Sequence, residues 1–149
     1  MAGIALEYTT TDLAGAMQKL RRLETADRLE LSEAIGARLE GSAQERIATT
    51  KVSPDGDPWA EWSANYHPGR QGASLLHREG DLRDSLLSRA TADEVIVGAN
   101  RVYAAIHQMG GDEDQGHPPI PARPYLGVSP EDERFIRDRA VDFLSEPLR

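Results

Sequence analysis

Cysteine is absent from this 149-residue sequence, and phenylalanine occurs only twice. Without cysteine the chain has no disulfide scaffold, no thiol nucleophile and no cysteine-ligated zinc site, which fits a reducing compartment. Hydrophobic residues make up 39% of the chain and aromatic residues 5%, a low share for a globular domain. We therefore expect a folded chain with a thin core.

Long apolar runs are also missing. No stretch approaches the ~20 residues that a membrane-spanning helix requires. Residues 1–12, MAGIALEYTTTD, lack both the basic start and the apolar stretch of a signal peptide. We expect a soluble protein with no membrane partner, kept in the cytoplasm where it is made until it joins a larger assembly.

Positive charge is the third scarce property. The chain has 25 acidic and 17 basic side chains and a formal charge of −8, which argues against broad binding to a phosphate backbone. A basic stripe formed only on oligomerisation stays open as an alternative. Lys19 and Lys51 are the only lysines. The preference for arginine reflects either codon bias or carboxylate-binding forks at interfaces.

The N-terminal third predicts helices. Residues 4–8 have a weakly alternating pattern typical of a short strand, and residues 13–23 have apolar side chains at helical spacing. A second helix is expected from about residue 25 to about residue 49. Its apolar stripe is sparse, so it needs the rest of the domain or a neighbouring subunit to cover it. The stripe consists of Leu31, Ile35, Leu39 and Ile47.

Residues 52–74 form a loop rich in proline and glycine, with a strong turn signal at Pro54-Asp55-Gly56. The loop also holds Trp59, Trp62 and Tyr66. A solvated linker rarely carries such aromatic side chains. They therefore either clamp the loop onto its own domain or form a docking surface for a partner, and the two roles are compatible.

The C-terminal half predicts a small sheet and two further helices. A helical turn capped by Asp81 comes first, and residues 86–91 and 94–98 then form a hairpin around Ala92 and Asp93. A middle helix spans 100–109, an acidic loop spans 111–119, and residues 120–128 are extended, with prolines that allow only an edge strand. Ser129 caps a last helix, which ends near Leu144. The fold class is α+β, in one domain spanning 1–149.

Catalytic signatures are weak. No serine-nucleophile elbow, phosphate-binding loop or dinucleotide fingerprint is present, so we expect no enzyme and no cofactor. One constellation invites a metal, because His107 and His117 flank Asp112, Glu113 and Asp114. Their spacing matches no tight metal motif, and we expect no metal site, although a metal-dependent hydrolase stays a weaker alternative.

Four strings in order resemble one family: the virion-morphogenesis, or tail-completion, family of tailed phages, which includes protein G of Mu-like phages. The strings are SPDG followed by Trp59, GDL at 80–82 with Ser85, VGAN at 97–100 leading into YAAIHQMG at 103–110, and IPARPYLG at 120–127. The acidic insert at 112–119 departs from the pattern.

The resemblance implies a structural virion protein at the head–tail junction, in the neck or in tail completion, without catalysis. It also implies a six-fold ring of copies, stacked on connector and tail-terminator proteins, with DNA only as passing cargo. A transient head-morphogenesis factor is the alternative.

The same resemblance makes Pro121, Arg123 and Pro124 a rigid arm, with Arg123 paired to a carboxylate in its own or a neighbouring subunit. The residues expected at interfaces are Trp59, Trp62, Tyr66, His117, Arg123, Pro124 and Tyr125.

Overall fold

The computed structural model describes residues 28–63, 74–112 and 119–145. The strand predicted at 4–8, the helix predicted at 13–23 and most of the acidic loop lie outside the described residues. Within them, helices α1 (Arg28–Glu45), α2 (Asp81–Asp84), α3 (Ala104–Met109) and α4 (Pro130–Ser145) accompany a two-stranded antiparallel sheet. The predicted α+β class is confirmed. No helix of the described part is long and apolar enough to cross a membrane.

Helix α1 continues into a π-helical turn, Arg46–Thr50, which ends at Lys51 in the left-handed conformation (φ 56°). The Lys51 ammonium group stabilises this end, because it donates to the carbonyl oxygens of Ile47 and Leu75. The helix predicted from about residue 25 to about residue 49 is thus confirmed from Arg28, the first described residue, to its end.

The buried stripe predicted for this helix is confirmed only at Ile47, which is fully buried in the π-helical turn. Leu31, Ile35 and Leu39 are only half-buried, whereas small side chains face the interior. The reason is a close approach to the hairpin: a Cβ at Gly36 would lie 3.2 Å from Ser88 Cβ and 3.4 Å from the Val95 side chain. A row of large residues at the centre of this face would hold the helix too far from the sheet. The small buried residues are Ser32, Gly36 and Ala43.

The hairpin consists of β1 (Leu86–Ala90) and β2 (Val95–Ala99), paired in the register Leu86 with Ala99 and Ala90 with Val95. The predicted strands shift by only one residue. One face packs on α1, and the other exposes Leu87 and Ile96.

The short helices before and after the hairpin differ in detail from the prediction. Asp81 is the first residue of α2 and not its cap; Gly80 occupies the cap position at φ 89°, a conformation that glycine adopts without steric cost. Helix α3 begins at Ala104, later than the predicted residue 100, because residues 101–103 form a turn.

Helix α4 begins as its sequence predicts. Ser129 Oγ accepts a hydrogen bond from Asp132 N at 3.2 Å, and Asp132 Oδ2 accepts one from Ser129 N at 3.1 Å. This reciprocal arrangement is a capping box, here with Asp at the third helical position. The apolar stripe of Phe135, Ile136 and Phe143 is half-buried, and the fully buried residue of the helix is a carboxylate, Asp132.

The core is a single cluster to which helices, strand and loops all contribute. Two of its largest members, Trp59 and Tyr125, come from segments without regular structure. The predicted turn at 54–56 holds the first of these segments in place, with Gly56 N donating to Ser53 O at 2.9 Å. The core residues are Ala43, Ile47, Trp59, Leu75, Leu82, Leu86, Ala104 and Tyr125.

Candidate functional site

Residues 120–128, here called the clamped segment, form no strand or helix. One isolated bridge joins Ile120 to Gly111. Beyond that bridge, several backbone groups of the segment bond to side chains from other elements, which is how an irregular, partly buried segment satisfies its polar groups. The predicted edge strand is therefore not formed within the described residues, and the chain bends at Leu126 and Gly127.

Gln108, at the end of α3, holds the middle of the clamped segment. Its Oε1 accepts hydrogen bonds from Tyr125 N at 3.0 Å and from Leu126 N at 2.9 Å, and its Nε2 donates to Leu126 O at 3.1 Å. The Tyr125 hydroxyl group donates to Ala104 O at 2.9 Å, at the other end of the same helix. Side chain and main chain of α3 thus fix the position of Tyr125 in the core.

Trp59 and Arg123 join the clamped segment to the loop that begins at residue 52. The Trp59 indole donates from Nε1 to Pro124 O at 2.9 Å. Arg123 donates from Nε to Ala60 O at 2.8 Å and from Nη2 to Glu61 O at 3.0 Å. Burial lowers the pKa of Arg123, while the charge of Glu61 raises it. The expected carboxylate partner is thus replaced by main-chain carbonyl oxygens in these bonds, and the loop and the segment are fixed to each other.

Arg46 and Asp132 join the same segment to the two long helices. The Arg46 guanidinium donates to Tyr125 O at 3.0 Å and to Gly127 O at 3.3 Å, and it pairs with Asp132 Oδ2 at 2.9 Å. The other Asp132 oxygen accepts from Arg38 Nε at 2.8 Å and from Ser42 Oγ at 2.5 Å. One carboxylate therefore joins α1, α4 and the clamped segment.

The pKa of Asp132 reflects two opposing causes. Burial raises it, but hydrogen bonds from Ser42, Arg38 and Ser129 outweigh burial and lower the pKa to about 2. The carboxylate is consequently ionised at all physiological pH values. Its chemistry is that of a structural anion, with both oxygens occupied by donors.

The residues expected at interfaces lie in different environments. Trp59, Arg123 and Tyr125 are buried, while Pro124 and Trp62 are half-buried. Tyr66 and His117 lie outside the described residues. The clamping role considered for the tryptophans is what the Trp59 contacts show, whereas a docking role stays a prediction.

The constellation considered for a metal ion is described only at His107 and Asp112. Its other members, Glu113, Asp114 and His117, lie outside the described residues. Among the residues that the structure describes, no group of three or more His, Asp or Glu side chains is placed to hold a metal ion. His107 is half-buried, and burial together with the charge of Arg123 lowers its pKa. The nearby guanidinium charge also disfavours a metal cation at this imidazole.

Sequence reasoning missed three side chains of this site: Arg46, Gln108 and Asp132. Asp132 had a local signal, its position three residues after Ser129, but only as an acid in the first helical turn. Arg46 is buried next to Ile47 in the π-helical turn that follows α1, where a charge is unexpected. For Gln108 no local sequence pattern indicates that its side chain binds the main chain of residues 125 and 126.

The family of the chain is shown by its similarity to known proteins. The family model described as "Phage virion morphogenesis family" matches residues 8–145, nearly the whole sequence. The chain belongs to the phage virion morphogenesis family. The match includes every residue of the clamped segment and its partners.

Two curated relatives of this family match as well. A protein named "Putative capsid assembly protein G", from Escherichia phage Mu, is 34% identical over 116 residues, which cover 72% of this chain and 74% of that protein. "Mu-like prophage FluMu G protein 2", from Haemophilus influenzae, is 33% identical over 134 residues, or 89% of this chain and 88% of that protein. No solved structure matches the chain significantly. The family resemblance inferred from the four strings is confirmed, and with it a role in phage morphogenesis.

Proposed function

We propose that this chain is a structural, non-catalytic virion protein of a tailed phage that acts at the head–tail junction, in neck assembly or tail completion. The observation that carries the proposal is the family match over residues 8–145. The side-chain chemistry of the site supports a structural role, because Asp132, Arg46 and Arg123 are all engaged in holding main chain and helices together.

We further propose that copies of the chain form a six-fold ring. Apolar side chains exposed on the described residues support such contacts between copies. Three apolar side chains on α3 or just before it are exposed: Val102 fully, Met109 at 81% and Tyr103 at 42%. Large apolar side chains exposed on one short stretch of chain are candidates for an interaction surface. The α3 region also carries one of the strings on which the resemblance rests. We assign this surface to contacts with neighbouring copies or with connector and tail-terminator proteins.

The negative charge of the chain supports the proposal that DNA passes through such a ring without binding to it. A formal charge of −8 repels the phosphate backbone, so that the duplex is cargo and not a bound ligand. Basic residues lining the lumen of the ring would contradict this part of the proposal.

Deletion of the gene from its phage or prophage tests the proposed site of action. We expect particles without the protein to accumulate as separate filled heads and complete tails, visible by negative-stain electron microscopy. Restoring the gene in trans should restore joined particles. Normal infectious virions from the deletion strain would contradict the proposal.

A second function, transient help in head morphogenesis, is favoured by the printed name of the phage Mu relative, a capsid assembly protein. Mass spectrometry of purified virions separates the two functions. A virion component gives a fixed number of copies per particle, whereas an assembly factor is present in lysates and absent from finished particles.

A further inference from the structure

The two outer edges of the hairpin differ in how they are covered. In an antiparallel pair, alternate residues turn their N–H and C=O groups away from the partner strand. Ser88 of β1 is such a residue, and its N–H donates to Glu40 Oε2 at 2.7 Å. The Glu40 carboxylate thus occupies the outer edge of β1 with a negative charge, which discourages a further strand from pairing there.

The outer edge of β2 has no comparable cover in the part of the chain that the structure describes. Hydrogen bonds at the two ends of the hairpin, from Asn100 N to Ser85 O at 3.4 Å and from Thr91 N to Glu94 O at 2.8 Å, fix which residues face the partner strand. Residues 95–99 contain no charge and no proline, two of the means by which proteins protect an open edge. The residues that turn their main-chain groups outward are Val95, Val97 and Ala99.

We propose that the β2 edge binds the β2 edge of a second copy of this chain, in an antiparallel register centred on Val97. In this register Val97 exchanges both main-chain hydrogen bonds with Val97 of the second copy, and Val95 exchanges them with Ala99 of the second copy. The two hairpins become one four-stranded sheet about a two-fold axis. A surface that is complementary to itself is what such symmetry requires.

The charges beyond the two ends of β2 favour this register. In a register centred on Val97, Asp93 is four residues before the centre and lies opposite Arg101 of the second copy, four residues after it. The two-fold axis produces the same pair a second time, with the two copies exchanged. Among the described residues of one copy, the ion-pair partners of both side chains are exposed, Arg28 at 2.9 Å from Asp93 and Asp81 at 3.8 Å from Arg101. Parallel pairing in register would instead place like charges opposite each other, which is unfavourable.

The exposed face of the hairpin favours the same arrangement. Ile96 is 53% exposed and Leu87 is 60% exposed on the side away from α1. In the proposed register Ile96 lies opposite Gly98 of the second copy, so the two Ile96 side chains come into diagonal contact across the axis. The proposal concerns the free protein and is independent of its role at the head–tail junction.

The absence of cysteine makes a disulfide test direct. Across a hydrogen-bonded antiparallel pair the Cα atoms lie about 5.5 Å apart, within the range that a disulfide spans. We therefore expect Val97→Cys to form a cross-linked dimer under mild oxidation. Val95→Cys is the matched control, because it lies on the same edge and face but is roughly 15 Å from its own copy in this register. Equal cross-linking of both variants, or of neither, would overturn the proposal.

A charge exchange provides a second, reversible test by sedimentation of the purified protein. Asp93→Arg and Arg101→Asp each place like charges opposite one another twice per dimer, so each should weaken dimerisation roughly ten-fold. The double variant restores opposite charges and should recover the original dimer. A chain that is monomeric at all accessible concentrations, as expected if the edge serves only a different protein, would overturn the proposal. So would a dimer that neither single variant weakens.

Discussion

Asp132 and Arg46, 86 positions apart in the sequence, form an ion pair of 2.9 Å in the interior, where the Asp132 side chain is fully buried and the Arg46 side chain is 6% exposed. Arg46 reaches on to the main chain of the clamped segment, and Asp132 holds the first turn of α4. The pair therefore determines how the C-terminal third of the chain sits on α1.

Replacing Asp132 by Asn tests this pair. The change leaves two guanidinium groups and two hydroxyl groups around a neutral amide, and breaking a buried pair in this way costs about 3–5 kcal/mol. We expect the free energy of unfolding to fall by about that amount in urea titrations. Asp138→Asn, at an exposed position of the same helix, is the matched control and should change stability by less than about 0.5 kcal/mol. Equal effects of the two substitutions would contradict the account.

The pH dependence of stability follows from the same carboxylate. The folded-state pKa of Asp132 is about 2, below the ordinary value of 3.8. Stability from this group is therefore complete above pH 3.8 and is lost as the pH falls towards 2, by about 2.5 kcal/mol in total. We expect the stability difference between the wild type and Asp132→Asn to narrow over that interval. A difference that stays constant from pH 5 to pH 2 would argue against an ionised buried Asp132.

Gln108 offers a local test of the clamped segment. Gln108→Ala removes two acceptor contacts and one donor contact to residues 125 and 126. We expect a loss of about 2 kcal/mol, because main-chain groups lose their partners. We also expect faster hydrogen exchange at the amides of Tyr125 and Leu126. Gln44→Ala, which removes a single 3.3 Å contact to Glu40, should leave those two amides protected. Unchanged exchange in Gln108→Ala would mean that other groups hold the segment.

Trp59→Phe separates the two roles considered for the tryptophans. The substitution removes the hydrogen bond to Pro124 O and should cost about 1–2 kcal/mol, and it leaves Trp62 as the sole indole fluorophore. If the loop docks on a partner, the emission of Trp62 should shift when the ring forms or when the neighbouring neck protein is added. An emission spectrum of Trp62 that is the same in free and assembled protein would leave only the clamping role.

Local signals explain which parts of the fold the sequence predicts. The Ser129 cap, the 54–56 turn and the β-branched run at 95–97 each depend on neighbours within a few residues, so composition and spacing are enough to locate them. The apolar stripe of α1 is different. Gly36 lies at its centre because the hairpin approaches closely at Ser88, and nothing near Gly36 in the sequence specifies that contact.

The candidate site was harder to predict than the fold for the same reason. Arg123 was expected to meet a carboxylate, but two carbonyl groups of a loop 62 and 63 positions away accept its hydrogen bonds. Asp132 draws its donors from residues 86 to 94 positions earlier, with Ser129 as the local exception. Ion pairs of this kind depend on how distant elements pack, which single-sequence patterns do not contain.

A cryo-electron microscopy map of the virion neck tests the central proposal most directly. We predict a coaxial ring of this chain between the head connector and the tail, with the exposed α3 residues Val102 and Met109 at contacts between neighbouring subunits. A neck that lacks this chain, in particles whose purified virions contain no copy of it, would contradict the proposal.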